Sequence, residues 1–282
     1  MEVRTHFRTI VLSDIHLGSK GSKAKEVTGF LKQYTCDKLI LNGDIIDGWQ
    51  LKKYGNSWKK KHTAFFRQIL KMIEQYDTRV IYLRGNHDDF LDHVLPLKVG
   101  KHFSIRLDYV LKTRKGYHYY VTHGDIFDRV TTHLKWLAYV GDAGYTLLLG
   151  INKFYNKWRA WRGLPYYSLS QEIKLKVKAA VNYISDFEEK LADLARSKGC
   201  QGIICGHIHQ PIIRMIGDIE YLNSGDWVES LTALVEDHEG TWNLVYYSAH
   251  LNQPEEEPSS EEDDEYDDDM LKSLLSLSSV KS

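Results

Sequence analysis

The 282-residue sequence is short of cysteine: Cys36, Cys200 and Cys205 are the only three, with no Cys-x-x-Cys pair and an odd total. That indicates neither a disulfide framework nor a zinc knuckle. The first residues, "MEVRTHFR", hold no apolar signal core, so the expected compartment is the cytosol. A membrane-spanning run is missing too. The apolar stretch 136–151, "WLAYVGDAGYTLLLGI", is shorter than the ~20 residues a bilayer requires. Net charge is nearly absent, at −1, but this conceals a division. Residues 255–269, "EEEPSSEEDDEYDDD", hold 11 of the 38 acidic residues, whereas residues 1–254 carry 35 basic against 27 acidic, a net of +8. A basic body with an acidic tail is suited to anions such as phosphate groups or an anionic membrane surface. No nucleic-acid partner is expected.

What is present is a rhythm of short apolar runs and longer amphipathic ones. "TIVLS" (9–13), "KLILN" (38–42), "RVIYLR" (79–84), "YHYYVT" (117–122) and "GIIC" (202–205) read as buried strands, bounded by Gly, Asp, Asn or His. Helical spacing marks 23–34, 57–76 (Phe65, Ile69, Met72, Ile73, Tyr76) and above all 170–198. There Ile173, Val177, Val181, Ile184, Phe187, Leu191 and Leu194 recur, and Gly199 takes the C-terminal cap position. "IEYLNSG", "LTALVE" and "WNLVYYS" predict closing strands. Strand–helix alternation followed by strands predicts an α/β layered sandwich over residues 1–252. An aromatic-rich helical cap is expected as an insertion at about 126–168. Residues 253–282 are expected to form an acidic, disordered tail.

Each early strand ends in chemistry. Asp14-Ile-His16 follows the first, Gly43-Asp44-Ile-Ile-Asp47 the second, and Gly85-Asn86-His87-Asp88 the third. His123-Gly-Asp125 and Gly206-His207-Ile-His209 follow the other two. In an open α/β sheet such ends share one edge, where ligands bind. If extended, Asp-x-His and His-x-His point both side chains to one face. Carboxylate, imidazole and amide oxygen without thiolate suit a pair of Mn²⁺, Fe²⁺, Zn²⁺ or Co²⁺ ions, with Asp44 as the best candidate bridge. Taken singly, each motif is as well explained by a turn or an ordinary hydrogen-bonded histidine. All five in this order are not, because packing alone would leave many buried polar groups unpaired.

The series DIH, GDIID, GNHD, HGD and GHIH resembles the calcineurin-like metallophosphoesterase superfamily over about residues 8–250. The passages "PYYSLSQEIKLKVKAAV" and "CGHIHQP…YLNSGDWVES" further resemble the UDP-2,3-diacylglucosamine diphosphatase group of lipid A synthesis. One position departs: His87 stands where the hydrolases of that pathway carry arginine. The resemblance implies a four-layer α/β/β/α sandwich and two metal ions, manganese first among the candidates. It assigns Asp14, His16, Asp44 and His209 to one ion, and Asp44, Asn86, His123 and His207 to the other. It implies that His87 faces the substrate phosphate and that Asp88 orients His87 by hydrogen bonding. The substrate implied is an acylated nucleotide sugar, hydrolysed at its pyrophosphate, with the protein cytoplasmic and in contact with the inner-membrane surface. Basic residues at the edge of the cap, Arg159 and Arg162, are candidate substrate contacts. The alternatives are a soluble phosphodiester substrate, or a non-catalytic scaffold, in which the motif residues would be eroded.

Overall fold

The computed structural model of the chain describes residues 4–55, 57–127, 155, 157–159, 161–163 and 169–248, with the side chains of 127 and 169–181 excepted. The expected cap lies largely, and the acidic tail wholly, outside the described residues. By compactness the chain divides into two units, one of residues 1–125 and 192–282, the other of residues 126–191.

Strands β1 (Thr5–Leu12), β2 (Tyr34–Asn42) and β3 (Arg79–Leu83) run parallel and adjacent. Their apolar runs are continuous because both faces are covered. Ile10, Leu12, Leu39, Leu41, Val80 and Tyr82 belong to one core, whereas Val11, Ile40, Ile81 and Leu83, out of phase by one residue, belong to another. The first core takes Val27, Phe30 and Leu31 from helix α1 (Ala24–Gln33), and Phe65, Ile69 and Met72 from α3 (Lys60–Tyr76). Between these two helices a short α2 (Gly48–Tyr54) leaves directly from the end of β2 through Asp47, whose carboxylate caps it by accepting from Gln50 N at 3.0 Å.

The second core lies between two sheets. Strands β4 (Leu97–Val99), β5 (Phe103–Arg106), β11 (Thr232–Glu236) and β12 (Trp242–Tyr246) complete the first, in the order β12-β11-β1-β2-β3-β5-β4. The other sheet has the order β6-β7-β8-β10-β9. Its strands are β6 (Tyr109–Lys112), β7 (His118–Val121), β8 (Gly202–Cys205), β9 (Ile212–Ile216) and β10 (Ile219–Asn223). It turns Leu111, Tyr119, Val121, Ile204 and Leu222 onto the first sheet. Helix α4 (Leu169–Ser197) is closed off by Gly199, two residues beyond its end, which has φ 67°, and Arg196 of its last turn donates to the Ile216 carbonyl of β9 at 3.0 Å.

The fold is thus a mixed α/β sandwich of two sheets and helices, as the sequence predicts. One expectation is corrected. The five motif-bearing strands do not share one open sheet, because β1, β2 and β3 lie in the first and β7 and β8 in the second. The motif loops therefore meet from opposite sides of a seam.

Candidate metal centre

Register brings the loops together. Leu12 pairs with Leu41 and Asn42 with Leu83, so the three parallel strands of the first sheet end level. Asp14 N donates to the Gly43 carbonyl at 3.1 Å and His16 N to the Asp44 carbonyl at 2.9 Å. In the second sheet Thr122 N donates to Ile204 O at 3.1 Å, and Gly206 N to His123 O at 3.1 Å. Several bonds among the described residues cross the seam. His207 N donates to Asp14 Oδ2 (2.9 Å), His123 Nδ1 to Asn42 O (2.9 Å), and Asn42 Nδ2 to Thr122 O (3.1 Å).

The Asp-x-His and His-x-His segments are not extended, which corrects the period-two reading. Asp14, His16, His207 and His209 have φ of 53°, 51°, 69° and 54°, and Asp44 has 54°. Only Asp77 and Leu231 share this left-handed region among the other described non-glycine residues. A conformation that costs on the order of 1–3 kcal/mol at each residue is concentrated on candidate ligands. Convergence here comes from sharp local turns.

Asp14, His16 and His209 each offer a ligand atom within 4.8 Å of the others, and so do Asp44, His123 and His207. A third grouping of the same kind, His16, Asp44 and His87, shares His16 with the first and Asp44 with the second. Asp14 Oδ1 and His123 Nε2, and beside them the amide oxygen Oδ1 of Asn86, are buried and make no hydrogen bond. Asp14 Oδ1 nevertheless lies 3.1 Å from His209 Nε2, and His123 Nε2 lies 3.4 Å from Asp44 Oδ2. Because His123 Nδ1 donates to a carbonyl, a neutral ring turns its Nε2 lone pair toward a carboxylate. That pairing is repulsive unless a cation stands between, either a proton or a metal ion. Burial alone would depress His123, but the charges of Asp44 and Asp14 raise it to about 10. Against burial, which opposes ionisation, His123 and His16 hold Asp44 down to about 2, and the His209, His123 and His16 rings hold Asp14 well below the usual carboxylate range. The donor set, the orphaned atoms and the stored negative charge all fit divalent cations.

Two glycines make room within this cluster. A Cβ on Gly85 would fall onto the Asp44 carboxylate, and one on Gly43, where φ is 80°, onto the His123 ring. The space is taken by candidate ligands themselves, so these glycines let side chains pack against backbone.

His87 sits beside the cluster with a different set of contacts. Its backbone N–H donates to Asp44 Oδ1 at 2.8 Å, and its Nδ1 donates to Asp47 Oδ1 at 3.1 Å. The His16 ring meets it edge-on at 4.7 Å. The expected role of Asp88 is corrected. Its carboxylate is fully buried and accepts from Ile45 N (3.1 Å), Ile46 N (2.8 Å) and Tyr82 Oη (2.9 Å). Burial and the Asp44 charge push Asp88 up to about 7. Asp88 therefore pins the GDIID loop, and the residue that meets His87 is Asp47. The spacing Gly-Asp-x-x-Asp contained that signal, since its second carboxylate had no role in the sequence reading. Arg159 and Arg162 belong to the unit of residues 126–191, where their described contacts are with Tyr155 (5.6 Å to the ring centre) and Trp158 (5.0 Å).

A profile of the calcineurin-like phosphoesterase family matches residues 7–211. The chain belongs to this family. As a calcineurin-like phosphoesterase it is a metal-dependent hydrolase. No curated protein matches the chain. Among solved structures, a novel archaeal phosphodiesterase is 12% identical, covers 84% of this chain and 98% of its own, and has a TM-score of 0.39. Wild-type Vps29 complexed with zinc, from Entamoeba histolytica, is 13% identical with coverage of 84% and 96% and a TM-score of 0.39. A predicted phosphoesterase of Streptococcus pneumoniae is 14% identical, with coverage of 85% and 97% and a TM-score of 0.33. No helix among the described residues of this phosphoesterase is long and apolar enough to cross a membrane.

Proposed function

We propose that this phosphoesterase hydrolyses its substrate at two divalent ions. Asp14, His16, Asp44 and His209 would hold one, and Asp44, Asn86, His123 and His207 would hold the other. When bound, such a pair supplies hydroxide near neutral pH and offsets phosphate charge. The chain's own residues supply the rest. Buried Asp14 and Asp44 fix the negative charge, and the His123–Asn42 hydrogen bond fixes the tautomer that presents Nε2. Asp47 holds His87 through Nδ1, which leaves Nε2 to stabilise or protonate the leaving oxygen. The observation that carries the reading is the set of buried, unbonded ligand atoms on Asp14, Asn86 and His123. Left without a cation they would cost about 1–3 kcal/mol each.

For the substrate, we take the pyrophosphate of UDP-2,3-diacylglucosamine, cleaved by water to UMP and 2,3-diacylglucosamine 1-phosphate. This reading is supported by the resemblance of the sequence around residues 165–181 and 205–230 to that group of hydrolases. Arg159 and Arg162 would then contact the substrate, and the protein would work in the cytoplasm against the inner-membrane surface. A panel of lipid, nucleotide and aryl phosphodiesters, assayed with Mn²⁺ and in parallel with Fe²⁺, Zn²⁺ and Co²⁺, tests it. Preference for the acylated nucleotide sugar supports the substrate. Turnover of soluble diesters alone replaces it with the second reading, a soluble phosphodiester. Absence of metal-dependent turnover on any of them overturns the hydrolytic assignment.

A further inference from the structure

The indole of Trp49 lies on the imidazole of His87, with ring centres 4.2 Å apart and planes 31° apart. Yet it is 48% exposed, whereas Trp58 and Trp227 are 2% and 0% exposed in the core. Looseness of α2 does not explain this. Gly48 N donates to His87 O at 3.0 Å, Asp47 N to Leu17 O at 2.8 Å, and Leu51 is buried. The helix is anchored next to the metal-ligand cluster and holds out a large apolar ring there. An indole is broader than an imidazole, so covering His87 leaves its far face and overhang open to solvent. A long contact from Nε1 to Asp89 Oδ2, 3.5 Å, limits the ring's rotation.

We propose that Trp49 is a specificity-determining residue, an aromatic floor that takes a planar ring carried by the substrate beside the reacting phosphate. Planar rings pair with indole in offset or tilted stacks, as His87 already does on the covered side. The substrate class is therefore a phosphoester bearing an aryl group or nucleobase, in preference to a ring-free alkyl ester. This rests on the phosphoester reading above and narrows it. Merely holding His87 in place would affect all phosphate ligands alike. Receiving a ring affects only those that have one.

Phenylphosphonate and methylphosphonate, whose P–C bonds resist hydrolysis, separate these roles. Their binding to the Mn²⁺-loaded full-length protein is measured by calorimetry, for wild type, Trp49→Ala and Trp49→Phe. The wild type should bind the phenyl compound about tenfold more tightly than the methyl compound. Trp49→Ala should abolish that preference while methylphosphonate affinity stays the same, and Trp49→Phe should keep most of it. Equal affinities in the wild type, or equal losses for both ligands in Trp49→Ala, overturn the proposal. If the Mn²⁺-loaded wild type binds neither phosphonate, the phosphoester reading itself fails, and the role of Trp49 falls with it.

Discussion

Asp47 Oδ1 stands 3.1 Å from His87 Nδ1 and 3.0 Å from Gln50 N, so one carboxylate oxygen both starts a helix and orients an imidazole. Asp88, the immediate neighbour of His87 in sequence, faces away from it. The two aspartates should fail differently. Asp47→Asn should keep the helix cap and bound metal but lower kcat about 10–100-fold, the usual cost of losing such an orienting partner. Asp88→Ala should remove the acceptor for three buried donors, costing on the order of 1–3 kcal/mol per donor left unpaired. Thermal melts and metal analysis on both variants check this, and a stable but inactive Asp88→Ala protein would restore the role first expected of it.

Asp44 belongs to two of the three ligand groupings. Asp44→Ala should reduce bound metal at both positions and abolish activity while the far-ultraviolet dichroism of the fold persists. Two full equivalents of metal in that variant would show that it bridges nothing.

His87 is proposed to act on the leaving group and not to hold an ion. His87→Ala should retain both metals and lose ~10²–10⁴-fold in kcat. The loss should shrink on a nitrophenyl ester, whose leaving group needs no proton. Arginine stabilises phosphate charge but donates no proton near neutral pH. Activity of His87→Arg therefore indicates charge stabilisation, and its inactivity indicates proton donation. Loss of metal from His87→Ala would reassign the residue as a ligand, as its grouping with His16 and Asp44 permits.

Gly85 has no side chain because the Asp44 carboxylate and backbone occupy that space. Gly85→Ala should destabilise the protein by about 1–3 kcal/mol, as overpacking does, and should weaken metal binding as well. Gly55→Ala meets no atom within 4 Å and should leave metal binding intact, so equal effects of the two changes on metal would count against this account.

The parts of the fold legible in sequence are those fixed by local pattern. β1, β2 and β3 read as strands because burial on both faces makes the runs Ile10–Leu12, Leu39–Leu41 and Val80–Leu83 uniformly apolar, and α3 because Phe65, Ile69 and Met72 repeat at helical spacing. Short exposed strands left no such mark, as at Leu97–Val99, where all three residues are exposed, and at β9, where Arg214 and Met215 are. The division of the motif strands between two sheets depends on pairings such as Val121 with Ile204, 83 positions apart, which no window of sequence contains. Asp47 and Asp88 are both carboxylates near motif glycines. Which of them meets His87 is decided by the path of α2 out of the sheet, so proximity in sequence pointed to the wrong one. No periodicity or motif in the sequence singles out Trp49, whose placement on the His87 ring is what marks it out.

The seam has a mechanical consequence. Asp14, His16 and Asp44 come from the first sheet, whereas His123, His207 and His209 come from the second, so each cation would act as a rivet through both layers. Pulling the layers apart would then require breaking coordination bonds, and occupancy becomes a contribution to cohesion: at a free ion concentration one hundred times Kd, each ion adds about 2.7 kcal/mol to unfolding. Chelation should therefore lower Tm by several degrees and raise amide exchange first along β7 and β8, the strands fastened to the first sheet at this end. A chelated protein with an unchanged melt and exchange pattern would mean that the layers hold together without the rivets.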